Sequence, residues 1–146
     1  MYMGMLTKNP VIDCALLAWC VAQTIKVLLG LFIHRQLDIS LFVTSGGMPS
    51  SHSALVVACA AAVGKLEGTG SAAFALSVIL AAVVMYDACN VRRSAGDTAR
   101  LVNKLLRHVE KLTAEELADD LREVMGHTPL QVLAGSLLGL GLGLMV

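Results

Sequence analysis

The chain has 146 residues, 56% of them hydrophobic and only 15% charged, against roughly 45–50% apolar and about 25% charged in soluble domains. With a mean hydropathy of +0.73 this is a membrane composition, and eleven Lys plus Arg balanced by eleven Asp plus Glu leave no basic excess to neutralise phosphates, which excludes nucleic acid as a partner. The length admits one domain, 1–146, and at about 20 residues per crossing only a few spans, which excludes large multidomain enzymes and Rossmann folds.

The first apolar stretch runs from about Val11 to Ile33, preceded by Lys8 and Pro10 and interrupted by Asp13, Gln23 and Lys26. It is long enough to span, and no small-residue cleavage site of signal-peptide type follows it. A second stretch, 50–66, is rich in Ala and Val, follows a Gly-Gly-Met-Pro turn and is short for a span. The third, 70–86, ends in Tyr86-Asp87 and is tightly joined to the second by Lys65, Glu67 and Gly68, so the two are expected to form a helical hairpin. Residues 87–127 differ in character, holding seven of the eleven basic residues and eight of the acidic ones. There Leu101, Leu105, Val109 and Leu112 recur at helical spacing and predict an amphipathic helix from about Asp97 to Leu112. Thr113-Ala-Glu-Glu116 has capping-box spacing, and Leu117, Leu121 and Val124 before Gly126 predict a second short helix stopped by glycine. The last stretch, 128–146, carries Gly135, Gly139 and Gly143 at four-residue spacing, a pattern that lets helix backbones approach closely in lipid and a candidate face for a second copy of the chain. Cys14, Cys20, Cys59 and Cys89 have no C-x-x-C spacing and read as small buried hydrophobes. The expected fold is therefore all-α: a polytopic membrane bundle of about four spans (11–33, 50–66, 70–86 and 128–146) with two short amphipathic surface helices in the polar segment 87–127.

Charges in or beside spanning helices are costly and mark functional sites by default. Here they are Lys26, Arg35, His52, Asp87, Arg92, Arg93 and His127. Alternating spans put the end of the first, the start of the second, the end of the third and the start of the fourth on one side of the membrane, and every one of these residues falls at one of those ends. In Ser45–His52 (SGGMPSSH) the glycines permit positive φ and close approach, Pro49 suits a helix entry, and Ser50 or Ser51 can cap it. Free N–H groups at such a start attract an anion, to which His52 in the first turn can donate a proton; a capped helix with a satisfied histidine explains the isolated segment equally well. Gly126-His-Thr-Pro129 repeats the logic, with Thr128 as cap, Pro129 opening the helix and His127 at its mouth, where alone it reads as a capping bystander. Asp87 is placed to orient a histidine or to pair with an arginine. Two imidazoles and two or three fixed cations around a helix start are what phosphoryl transfer needs: the cations neutralise equatorial oxygens, one histidine attacks or activates water, and the other protonates the leaving oxygen. His34 and His108 lie among ordinary polar neighbours and read as surface residues. No Asp-x-Asp pair, Cys-x5-Arg loop, Walker loop or His-Glu-x-x-His helix is present, so neither a metal nor a cofactor is expected.

Three ordered segments, Gly46–Ala54 (GGMPSSHSA), Val84–Ala88 (VMYDA) with Val91–Arg93 (VRR), and Gly126–Val132 (GHTPLQV) with Gly135, resemble the signatures of the divergent type-2 phosphatidic acid phosphatase family, which is related to acid phosphatases and vanadium-dependent haloperoxidases. The resemblance covers nearly the whole chain. It implies metal-independent transfer of a phosphoryl group through a histidine, with His127 as nucleophile, His52 as general acid, and the phosphate held by Ser50, Ser51, Arg92 and Arg93, with Lys26 and Arg35 in the place of the first clamp. Ordinary members of the superfamily carry K-x6-R-P, P-S-G-H and S-R-x5-H-x3-D motifs. The second transfers onto Pro49, Ser50, Ser51 and His52, with Ser51 in place of glycine. Lys26 and Arg35 have eight residues between them and no proline follows the arginine. No histidine follows Arg92-Arg93 at the expected spacing; His127 is the available substitute, and Gln131 stands where an aspartate would orient it. Asn90 replaces the glycine expected before Val-Arg-Arg, and asparagine tolerates left-handed backbone.

The expected activity is hydrolysis of a phosphomonoester on a lipid, because the cluster lies at the membrane interface. Phosphatidic acid and polyprenyl phosphates fit, and the resemblance adds phosphatidylglycerophosphate. The rival is a non-catalytic protein, an anionic-lipid-binding scaffold or transporter subunit, that holds the head group without cleaving it. The site is expected on the cytoplasmic side, since 87–127 carries seven Lys and Arg whereas the connection between the second and third spans has only Lys65 and the N-terminal tail only Lys8.

Overall fold

The structure, a computed structural model, describes residues 6–35, 47–108 and 126–146. The described residues are helical, with no strand among them. Helix α1, Pro10–His34, starts where the Asn9 side chain accepts the Val11 and Ile12 N–H groups at 2.9 and 3.3 Å and Pro10 takes the first turn. Asp13, favourably placed at the positive end of the helix, accepts the Leu6 and Thr7 N–H groups at 3.1 and 3.0 Å and the Thr7 hydroxyl at 2.7 Å, which folds the preceding residues back onto the first turn. The helix closes on Arg35, left-handed at φ 53°, whose N–H reaches the Leu31 carbonyl at 2.9 Å. Helix α2, Ser51–Glu67, is capped by Ser50, and α3, Ala72–Tyr86, by Ser71; Gly68 at φ 84° makes the turn between them. The expected hairpin is present. Helix α5, Pro129–Gly143, opens with a full capping box in which Thr128 and Gln131 satisfy each other's N–H groups.

Three elements of the expectation change. The third apolar helix does not stop at Tyr86-Asp87: it passes through one π-turn, Asp87–Val91, straight into α4, Arg92–His108, making a continuous helix over Ala72–Leu105 that is long and apolar enough at its start to cross a membrane. The amphipathic helix thus begins five residues before Asp97 and runs on through Gly96. Its predicted end at Leu112 and the second short helix after Thr113 lie outside the described residues. The Gly135/Gly139/Gly143 face is not free for a second copy. It packs on α2 of the same chain, where a Cβ at Gly135 or Gly139 would collide with the carbonyls of Ser50 or Ala54, and one at Gly143 with Ala58 and Ala61. Of the cysteines only Cys14 is fully buried, while Cys20 is exposed on the outer face of α1.

Helix α2 is the centre, with α1, α3 and α5 each packed against it. Its Ala54, Ala58 and Ala62 form one fully buried core with Cys14, Ala18 and Ala22 of α1. The pairing of Ser50, Ala54 and Ala58 with glycines 135, 139 and 143 in the same order shows that α2 and α5 run parallel. At the far end Lys65 donates to the Leu144 carbonyl at 2.8 Å. The inside is small or polar while large apolar side chains face out: Leu76, Ile79, Leu80 and Val83 on α3, Leu28, Phe32 and Ile33 on α1, and Leu133 and Leu137 on α5 are all exposed. That inversion suits lipid as solvent, where close packing of small residues and not apolar burial drives helix association. Among the described residues two helices, over Pro10–Ile33 and Ala72–Leu105, are long and apolar enough to cross a membrane; α2 and α5 have 17 and 15 residues.

Candidate active site

The ends of four helices meet at one end of the bundle. Gly47 approaches Lys26 of α1 so closely that a Cβ there would lie 3.1 Å from the lysine Cγ, and its φ of 95° also favours glycine. The Ser50 N–H donates to the Gln131 carbonyl at 3.0 Å, tying the start of α2 to that of α5, and the His127 N–H donates to the Ala88 carbonyl at 3.0 Å, tying the segment before α5 to the π-turn.

Within this junction the two histidines face each other edge to face with ring centroids 6.2 Å apart. His127 is 1% exposed, the largest fully buried side chain among the described residues, and neither ring nitrogen has a hydrogen-bond partner among them. Burial, followed by the positive charges gathered around His52, Lys26 and Arg92, lowers its pKa to about 4. It lies just before α5, outside the helix itself. His52, half-buried in the first turn of α2, has Arg92, Lys26 and Asp87 as its charged neighbours. Lys26 is 3% exposed despite its ammonium. Arg92 Nε donates to Asp87 Oδ2 at 2.6 Å across the π-turn. The arrangement offers a neutral imidazole, a second imidazole opposite it and two cations around a helix start, with no group of three or more metal-ligating side chains among the described residues.

The structure therefore brings together Lys26, His52, Asp87, Arg92 and His127. Ser50 and Ser51 lie at the same helix start, 0% and 1% exposed; the Ser50 hydroxyl is spent on the cap, accepting from the Ser53 N–H at 3.4 Å and the Ser53 hydroxyl at 3.0 Å. Arg35 and Arg93 are not brought to the histidines. Arg35 is the exposed end of α1, and the exposed Arg93 meets the site through its backbone, which lies where a Cβ of Gly126 would be. Gln131 does not orient His127, because its Oε1 accepts the Thr128 N–H at 3.0 Å in the capping box. Asn90 is not left-handed: it lies in the right-handed π-turn, and its side chain donates to the Tyr86 carbonyl at 3.3 Å. The surface reading of His34 and His108 concerns side chains outside the described ones.

Sequence reasoning missed Ala88 and the contact made by Gly126. Gly126 read as the stop of a preceding helix, while the backbone it admits belongs to Arg93, over thirty residues earlier in the chain. Only the adjacency of glycine to His127 could have raised the question.

Residues 7–142 match the family model described as "Divergent PAP2 family". The chain is 39% identical over 154 residues to the "Uncharacterized membrane protein YuiD" of Bacillus subtilis (strain 168), covering 99% of this chain and 97% of that protein. No solved structure matches.

Proposed function

The chain belongs to the divergent PAP2 family, and from that premise we propose that it is a multi-pass membrane phosphatase that cleaves a phosphomonoester carried by a lipid. The observation that carries the reading is the buried, unpartnered His127 set opposite His52 at the start of α2. A buried imidazole with both nitrogens free is costly unless a ligand completes it, and its depressed pKa leaves it unprotonated, as a nucleophile must be.

In the proposed reaction the phosphate sits between the rings, against the N–H groups at the start of α2, with Lys26 and Arg92 opposite its equatorial oxygens. A lone pair of His127 forms an N–P bond as the P–O bond to the lipid alcohol breaks, and His52 gives its proton to the departing oxygen. His52, now neutral, takes a proton from water as that water attacks phosphorus. The N–P bond breaks, phosphate leaves, and both histidines return to their starting states. Asp87 holds the Arg92 guanidinium and stands near His52. No step requires a metal.

All four apolar helices are taken as spans, with α2 and α5 parallel and the histidine end at one membrane surface. Phosphatidic acid, phosphatidylglycerophosphate and polyprenyl phosphates share the required group, a phosphomonoester at the depth of the interface. Phosphate release from each in mixed micelles by the purified protein, with and without EDTA and vanadate, tests the reading. Turnover that vanadate inhibits and EDTA spares is expected, with His52→Ala and His127→Ala each losing about 10²–10⁴-fold. Head-group binding with no release from any of the three overturns it in favour of a lipid-binding role.

A further inference from the structure

Among the described residues no side chain bonds the His127 ring, as one ordinarily does to fix a reactive imidazole, yet the ring is buried and held edge-on to His52. Backbone contacts hold the residue on three sides. Downstream, Thr128 and Pro129 are fixed by the capping box. Upstream, Gly126 lies on the Arg93 backbone with no room for a Cβ. Across the junction, the His127 N–H is bound to the Ala88 carbonyl.

That carbonyl is available because of the π-turn. In an unbroken α-helix the Ala88 carbonyl would take the N–H four residues on, that of Arg92. Here the Arg92 N–H goes to Asp87, five residues back, and Ala88 is left to bind His127. The single extra residue that makes a π-turn has a second effect. Asp87 and Arg92 would stand about 140° apart around an α-helix, whereas here their side chains meet, and Arg92 is kept beside both histidines. The exposed Asn90 side chain adds a bond to the Tyr86 carbonyl of the opened ladder.

We propose that the π-turn Asp87–Val91 is the positioning element of His127: the Ala88 carbonyl it releases and the Gly126 contact at its exit aim the imidazole at the phosphate site in place of an orienting carboxylate. The proposal rests on the phosphatase reading of the site, and its test has one arm that does not. Three variants of the full chain loosen the clamp differently. Gly126→Ala drives a Cβ into the Arg93 backbone, a glycine inserted between Gly126 and His127 lengthens the tether without adding bulk, and deletion of Asn90 closes the π-turn into an α-helix. Thr98→Ala, at an exposed side chain of α4 that bonds the Ser94 carbonyl of its own helix, is the control.

Each protein is purified in detergent, and its helical content checked by circular dichroism. In the catalytic arm kcat falls about 10²-fold or more in the clamp variants while KM holds. In the other arm, NMR titration of ring-labelled histidine places His127 near 4 in the parent and Thr98→Ala proteins and moves it towards the ordinary value of about 6.5 once the ring is released. If the folded insertion variant keeps both the parental kcat and a His127 that titrates near 4, the proposal is overturned, whatever becomes of Gly126→Ala or the deletion. If the parent releases no phosphate but the titration still separates insertion variant from control, the phosphatase reading fails and the positioning stands.

Discussion

Acidification should destabilise this protein through His127, by an amount that follows from its burial. The ring is 1% exposed, and its pKa is lowered to about 4, against about 6.5 in an unfolded chain. Between those values the unfolded state binds a proton that the folded state does not, so stability is fully present above pH 6.5 and falls as the pH drops towards 4. At 1.36 kcal/mol per unit, the full excursion is worth about 3 kcal/mol, and the interval from pH 7 to pH 4.5 about 2 kcal/mol. The assay is chemical denaturation in a fixed detergent at the two pH values, for the parent and for His127→Asn, which keeps a polar ring-sized group without the titration. Carboxylates titrate in both proteins and cancel in the difference. The parent should lose about 2 kcal/mol more than the variant. An equal loss in both would mean that His127 is solvated or already partnered, and the buried neutral nucleophile would go with it.

Three further outcomes follow from the same geometry. Arg92→Ala should lose about 10²–10³-fold in kcat toward every phosphomonoester that the parent cleaves, while Arg93→Ala loses much less, since the histidines sense the Arg92 charge and Arg93 meets the site only through its backbone; equal losses in steady-state assays would contradict this. Gly139→Leu, whose Cβ collides with the Ala54 carbonyl, should destabilise the bundle by about 1–3 kcal/mol or more, and an unchanged denaturation midpoint would show that α5 does not lie on α2. With the histidine end on the cytoplasmic side, an impermeant maleimide on intact cells should label a cysteine placed at Ser71 and spare one placed at Lys104 in a Cys-free background, and the reverse pattern inverts the orientation.

Much of the architecture was legible because it depends on local chemistry. Asn9-Pro10, Ser50, Ser71 and Thr128-Pro129 begin helices by satisfying free N–H groups within four residues of themselves, and long apolar runs between such caps have few conformations to choose from in lipid. Alternation of those runs was enough to gather Lys26, His52, Arg92 and His127 at one end, and composition alone pointed to a membrane. What remained was decided by contacts between segments far apart in the chain. The π-turn leaves no mark in local propensity, since Asp87–Val91 would serve equally in an α-helix; it shows in the Arg92 N–H bound to the Asp87 carbonyl, in the Ala88 carbonyl bound to His127 and in the Asp87–Arg92 pair. The four-residue glycine spacing announced close packing but not its partner, which proved to be the carbonyls of α2. Gln131 had the spacing to hold a histidine, but a capping bond three residues away competes at lower entropic cost than one across the fold. Hydrogen-bond capacity is written in each residue, but the partner that takes it up is set by which backbones the fold presses together.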